Sequence, residues 1–478
     1  MSYKRYNTKI LSNFFIYNME YLNINNYYSL MKGQRWIVDA LTFLLFGFLL
    51  FELIKTAVLM PTISKQLHLS LYQTGLLLGI FSGGPGIIMG FVGGNVVDKI
   101  GARYGGLFPL IAFTVITVGI GLSSTYLELA SAIIVFGVFE SFTNTVVYKL
   151  TGNWFGKHER GLGAGVTNSA SPFFTFLAPA VAIPLLLFYH DNFHDVFLLF
   201  AIFSIPLIIL WIIFIYDRPE QSRLITMDEL RIIYKDELQS GLVSQEDLDM
   251  AIKRHVPLDS ITKKIKGSNS ITFKQAFKYL FSSKENLGLI LGIGVMNLVW
   301  ASYSEVLPTY FSDYLLYSTS TLGLFTTITY FAGFLGAVVS GILTLRYNKL
   351  LIMKIGVIVS LVATIPLVFV DPGVSADVIL PITAIGFFGI LLYFPPFFSY
   401  TAEYFGKAVL GRALGLQFSF IALALAFGPT IMLSLAVISS WRISYLFDTI
   451  MVVVAIILTF TVKETAKMKE LKAKLEAE

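Results

Sequence analysis

Glu140 is the only carboxylate in a long apolar run, and an ionisable group in such a place is costly unless it faces a wet cavity or a partner. A carboxylate whose surroundings alternate between wet and dry can take up and release a proton; a buried structural hydrogen bond is the competing reading. Asn144, one helical turn further on, shares its face and could touch either Glu140 or a bound molecule. Glu52 and Lys55, three apart in an earlier apolar run, also share a face, and their simplest reading is an internal ion pair. Asn168, Asn297, Tyr303 and Tyr393 are further candidates for lining a site, although tyrosines in apolar runs more often form interfacial belts or fill packing gaps. Asp39 reads as interfacial, and Glu305 as either a gate residue or a solvated one. The second half of the chain is expected to hold no embedded charge as deep as Glu140.

The elements that must position these residues follow from composition. With 478 residues, 55% hydrophobic and 14% charged, the chain cannot present an ordinary soluble surface. Apolar runs long enough to cross a bilayer as helices fall near 36–60, 72–96, 104–123, 128–150, 161–188, 195–216, 286–311, 319–345, 350–371, 377–402, 411–438 and 443–462. They form two sets of six around one long polar stretch. The halves are related by duplication: Phe405-Gly406-Lys407, Gly411, Gly415 and Pro429 repeat Phe155-Gly156-Lys157, Gly161, Gly165 and Pro179. The fold class is therefore an all-α polytopic membrane protein of twelve transmembrane helices in two pseudo-symmetric six-helix bundles, an architecture that encloses a site at the midplane. The expected division is a disordered tail over 1–31, a first bundle over 32–216, a central loop over 217–285, a second bundle over 286–462 and a charged tail over 463–478. Met31, just before Lys32 and Arg35, is an alternative start.

All of the 35 lysines and arginines except Lys55, Lys65 and Arg442 fall on one side of this arrangement, so both termini and the central loop are expected in the cytoplasm, with the chain in the plasma membrane. That bias also explains the net charge of +5, and no nucleic-acid partner is implied. The chain has no cysteine, which excludes disulfides and thiol catalysis. It shows no paired nucleophile and base, no metal-ligand cluster and no nucleotide loop, so neither an enzyme nor a cofactor is expected. In the central loop Met227–Gln239 and Ser244–His255 have helical spacing, and Phe273, Phe277 and Phe281 suggest an interfacial helix. Pro395-Pro396 should break or kink the tenth span.

Gly94-Asn95-Val96-Val97-Asp98-Lys99-Ile100-Gly101-Ala102-Arg103 joins the second and third runs. Asp98 ends a helix whose dipole disfavours its charge, so a partner such as Arg103 or another helix N-terminus should hold it. A charge network here could latch one bundle to the other; the alternative is a basic loop that only fixes topology. The segment resembles the loop signature of the major facilitator superfamily, eroded in the second copy, where Leu345 stands at the acid and Asn348 at the glycine. A narrower resemblance, to the anion:cation symporters, rests on Gly137-Val138-Phe139-Glu140 ahead of Trp154-Phe155-Gly156-Lys157-His158-Glu159-Arg160-Gly161-Leu162-Gly163-Ala164-Gly165, on Leu307-Pro308-Thr309-Tyr310 and on Asp217-Arg218-Pro219-Glu220.

That resemblance implies proton-coupled symport of an organic anion by alternating access, by a monomer working with protons and a lipid bilayer. It implies Glu140 as the coupling acid, with Glu52 as a second proton carrier. Lys55 takes the place of a missing family arginine as the cation for a substrate carboxylate, helped by Asn144, Asn168, Asn297, Tyr303 and Tyr393. Gly94, Asp98, Gly101, Arg103, Glu159 and Arg160 supply the latch. Leu53 and Ile133 stand where the family carries arginines, Gly86 and Gly90 where it carries polar groups, and Phe418 and Ala422 near its asparagines. A monocarboxylate or aromatic acid is thus expected over a sugar acid. The alternatives are efflux of hydrophobic compounds and a membrane sensor that transports nothing.

Overall fold

In the computed structural model, residues 33–156, 159–261, 278 and 280–463 are described. The tails over 1–31 and 464–478, Lys157, His158, Phe273 and Phe277 lie outside the described residues. Among the described residues twelve helices are long and apolar enough to cross a membrane: α1 Gln34–Gln66, α2 Leu71–Met89, α3 Val96–Leu122, α4 Tyr126–Trp154, α5 Arg160–Phe188, α6 Phe193–Phe214, α7 Lys284–Asp313, α8 Thr319–Leu343, α9 Lys349–Leu367, α10 Ala376–Phe405, α11 Ala413–Ile438 and α12 Trp441–Thr461. The protein is a multi-pass, all-helical membrane protein, since only helices satisfy every backbone group inside lipid without a closed barrel.

Short polar turns punctuate the apolar runs, and their side chains start the next helix. Ser70 with Gln73 opens α2 and Thr125 with Glu128 opens α4 by reciprocal capping boxes, while Asn192, Ser283, Ser318, Asn348, Ser375 and Ser440 cap α6, α7, α8, α9, α10 and α12. Prolines are carried within the helices, as lipid-facing helices tolerate. Pro395 and Pro396 also sit inside continuous helix, so of the expected break or kink in α10 the break is not seen.

The central segment is more than a solvated linker. It forms helices over Met227–Ile233, Lys235–Gln239 and Gln245–Arg254, close to the expected spans, and packs Ile225, Leu230 and Ile233 beneath Val38, Trp154, Phe155 and Trp211 of the first half. Glu229 fixes it there, accepting the free backbone N–H groups of Gln34 (3.0 Å) and Arg35 (2.8 Å) at the start of α1. We call the end of the bundle that carries this segment the basic end, and the opposite one the far end.

Two π-helical turns interrupt the regular winding, Leu77–Phe81 in α2 and Ser302–Val306 in α7. Both lie where the halves meet. At the far end α2 packs on α11 with backbone nearly touching: a Cβ at Gly79 or Gly83 would collide with the Ala426 backbone, and one at Gly75 would meet Leu433. The first π turn leaves the Ile80 N–H free, and Thr430 of α11 accepts it at 3.1 Å while its hydroxyl donates to the Gly75 carbonyl at 2.9 Å. Gly323 of α8 receives Ile183 of α5, and α7 packs on α1. Towards the basic end packing thins, since Cβ atoms at Gly161 and Gly165 of α5, Gly341 of α8 and Gly415 of α11 would meet nothing within 4 Å. The halves are gripped at the far end and parted at the basic end, with Tyr148 and Phe418 still touching (5.7 Å between rings).

Candidate functional site

Glu140 stands on α4, half-buried and without a hydrogen-bond or ion-pair partner among the described residues. Asn144 follows it one turn on, also half-buried and unbonded. The structure adds a residue that sequence reasoning undervalued. Glu305 is not solvated: it is 1% exposed on the π turn of α7, has no hydrogen bond among the described residues, and lies within electrostatic reach of Glu140 on the other half. An extra residue in a π turn rotates the side chains that follow it, and no local spacing announces this.

Glu52 and Lys55 form the internal pair. The Lys55 ammonium is 2.7 Å from both Glu52 oxygens, Thr117 of α3 donates to Glu52 at 2.7 Å, and the ammonium lies over Phe197 (4.3 Å) and Phe200 (4.7 Å) of α6. Both groups are buried among α1, α3 and α6 of the first half. Lys55 has its positive charge already answered, so the geometry does not present it as a substrate cation, nor Glu52 as an exposed proton carrier.

Tyr303 and Tyr393 do not line the space between the halves. Tyr303 is fully buried against Gly386 and Phe387 of α10, and Tyr393 against Gly292 of α7 and Phe397. Glycines on the neighbouring helices make room for the two rings. Asn297 is half-buried and donates to the Ile293 carbonyl at 2.8 Å. Asn168 lies exposed near the basic end of α5, where it donates to Ala164 at 2.7 Å beside a break in winding at Ser169. Asp39, near the start of α1, is buried against the protein, accepting from Thr167 of α5 at 2.8 Å. Asp448 of α12, fully buried, and Glu305 correct the expectation that the second half holds no embedded acid as deep as Glu140.

The loop network differs from the expected latch. Asp98 pairs with Lys149 of α4 at 2.9 Å rather than with Arg103, and Lys149 also holds the Val97 carbonyl at 2.9 Å. Gly101 has φ 86°, and Asp217 fills the space a Cβ would take, so that its carboxylate accepts the Arg103 N–H (2.8 Å) at the start of the next helical stretch. The Arg103 side chain donates to Ile212 at 2.7 Å and stacks on Tyr216. Glu159 pairs with Arg35 at 3.2 Å, and Arg160 closes the α4–α5 turn on the Gly152 carbonyl at 2.8 Å. Gly94 lies in helical backbone between α2 and α3. Each of these contacts stays within the first half and its docked segment. Tyr234 of that segment donates to Glu220 at 2.9 Å, and burial with the adjacent carboxylate raises the phenol well above its usual range.

Two halves of six membrane-spanning helices, gripped at one end, are the architecture of a membrane transporter. The chain belongs to the Major Facilitator Superfamily, whose profile matches residues 41–429. It is similar to a hexuronate transporter of Bacillus subtilis (strain 168), 27% identical over 34% of this chain and 38% of the relative, and to a galacturonate transporter of Dickeya chrysanthemi, 26% identical over 44% and 60%. These matches therefore span less than two thirds of either relative. A probable sulfoacetate transporter of Cupriavidus necator is 23% identical over 69% of this chain and 71% of its own. Among solved structures, the fold is shared with a D-xylose-proton symporter (TM-score 0.66, 17% identity, 90% of this chain and 98% of that one). It is also shared with an inward-facing, unoccupied bacterial homologue of the human lysosomal transporter Spinster (0.62, 15%, 90% and 97%).

Proposed function

We propose that this protein is a proton-coupled symporter of an organic anion, with Glu140 as the coupling group. The observation that carries the reading is the unpartnered Glu140 on the first half with the buried Glu305 within its electrostatic reach on the second. Like charges held together in a medium of low dielectric repel, so closing the halves around this pair favours a bound proton, and parting them releases the constraint. Binding of proton and anion then drives the cycle only through their different affinities for the two conformations. The basic end would face the cytoplasm, with both termini inside the plasma membrane, and the monomer would be the working unit.

The relatives named for organic anions support the cargo class. Asn144 and Asn297, neutral and half-buried, are the groups we assign to the anion; its charge would be balanced by the co-transported proton rather than by Lys55. The lining between α1, α5 and α8 is aromatic, with Phe173 and Phe174 against Phe43 and with Phe176 against Phe331 and Phe334. An aromatic or aliphatic monocarboxylate fits it better than a polyhydroxylated sugar acid. The same lining favours the second reading, export of hydrophobic compounds. In proteoliposomes, wild type should concentrate labelled carboxylates under an imposed pH gradient, and Glu140→Gln should lose this while retaining counterflow. Concentrative uptake by the variant would remove Glu140 from the mechanism. A panel in which no carboxylate moves and a lipophilic cation does would favour export.

A further inference from the structure

Asp448 on α12 is fully buried, and among the described residues its carboxylate has no closer polar company than the Ser302 hydroxyl of α7 and neighbouring phenols. Around it stand Tyr445 of α12 and Tyr303 of α7, both fully buried, the Tyr445 hydroxyl without a hydrogen bond, and Ser302 of α7, whose hydroxyl donates to Val299 (2.7 Å) and leaves its oxygen lone pairs towards the carboxylate. Thr364 of α9 is beside Tyr303 and donates to Ser360, and Tyr330 of α8 donates to the Tyr303 and Ser304 carbonyls. Among the described residues no lysine, arginine or histidine bears on the carboxylate. A bare buried anion costs several kcal/mol, and orphaned buried oxygens clustered in one place call for an explanation.

The first half supplies one by internal symmetry. Lys284 starts α7 250 positions after Gln34 starts α1, and Trp441 starts α12 248 positions after Phe193 starts α6. In that register Ser302 is the counterpart of Glu52, and Tyr445 and Asp448 are the counterparts of Phe197 and Phe200, the rings that cover the Lys55 ammonium. One half thus holds a carboxylate, a hydroxyl and a built-in ammonium at the junction of its first and sixth helices. The other half holds a carboxylate and several hydroxyls at the same junction. The counterpart of Lys55 is Glu305, which the π turn places towards Glu140 instead.

We propose that the Asp448 carboxylate and the hydroxyls of Tyr303, Tyr445 and Ser302 hold a sodium ion inside the second half, in the place that the Lys55 ammonium occupies in the first. The ligands are all hard oxygens, which suit an alkali or alkaline-earth cation. A single carboxylate balances a monovalent ion, whereas a divalent one would leave a net buried charge. A proton would discharge the carboxylate but could be shared with only one neighbouring oxygen, whereas a cation draws on all of them.

The test uses full-length purified protein in detergent, with sodium chloride replaced by choline or potassium chloride at constant ionic strength and pH. Thermal unfolding followed by intrinsic fluorescence should shift upward, saturably, with sodium alone. Asp448→Asn should abolish the shift, and Tyr303→Phe should weaken the apparent sodium affinity about tenfold for the loss of one ligand. Glu140→Gln should keep it, which separates this site from the proton-coupling reading. Equilibrium binding of radioactive sodium should give one site in wild type and none in Asp448→Asn. Equal unfolding in sodium and choline, or a full sodium response in Asp448→Asn, would overturn the proposal, as would a response to pH with none to sodium. If Asp448→Asn does not fold, an unchanged sodium affinity in Tyr303→Phe overturns it instead.

Discussion

Lys55→Met exchanges the buried ammonium for an apolar group of similar length and leaves Glu52 with the Thr117 hydroxyl alone. At 2.7 Å and an effective dielectric of about 20, the attraction lost is about 6 kcal/mol. Part of this returns as the stranded carboxylate takes a proton or admits water, so a net destabilisation of roughly 3–5 kcal/mol is expected, as for other broken buried pairs. For a chain of this size that is a fall of roughly 3–5 °C in the unfolding midpoint. Glu52→Gln with Lys55→Met removes both charges and should recover to within about 1 kcal/mol of wild type, because the desolvation of the pair nearly offsets its attraction. The assay is fluorescence-detected unfolding of the detergent-solubilised protein, with carboxylate uptake measured in parallel. If Lys55→Met unfolds at the wild-type temperature yet no longer transports carboxylates, the ammonium serves the substrate and the self-neutralising pair is refuted.

Thr430→Val removes the far-end bond between α11 and α2, worth roughly 1 kcal/mol, and should shift the population about fivefold towards the conformation open at that end. Single cysteines introduced at the far end of this cysteine-free chain would read the shift as faster thiol labelling. Gly101→Ala places a methyl group on the Asp217 carboxylate at a left-handed φ; a loss of about 1–3 kcal/mol is expected, seen as a lower unfolding temperature. Asp98→Asn, by contrast, breaks a pair whose carboxylate is 74% exposed, so the unfolding temperature should stay within about 2 °C of wild type. Glu229→Ala leaves the first N–H groups of α1 unpaired and should speed proteolysis within 217–261 while the helical spans remain protected.

The twelve spans, the duplication and the Glu52–Lys55 pair were legible because each is a local pattern: hydropathy over twenty residues, a repeated motif, or two charges one turn apart. Contacts between distant segments were not. Asp98 finds Lys149, and Asp217 reaches the start of the α3 stretch, through helix packing that no loop motif encodes. Tyr303 and Tyr393 looked like site residues until glycines on partner helices took them into the core of the second half. Asp448 escaped notice because it lies two turns from a helix start, where a solvated carboxylate is the ordinary case; Tyr310, Trp441 and Tyr445 pack together over that end of the helix. Glu305 was misjudged for a different reason, since the single added residue of a π turn changes which way every later side chain points.

Gly75, Gly79 and Gly83 give α2 a bare stripe against α11. Closure there brings main chain to main chain, so few rotamers freeze when it forms and few must be released when it opens. A seal built this way behaves more like two smooth plates than like a zipper, with nothing to re-thread. Larger side chains in the stripe would collide with the α11 backbone, so under the proposed cycle the ease of closing this seam rests on residues that have no side chain at all.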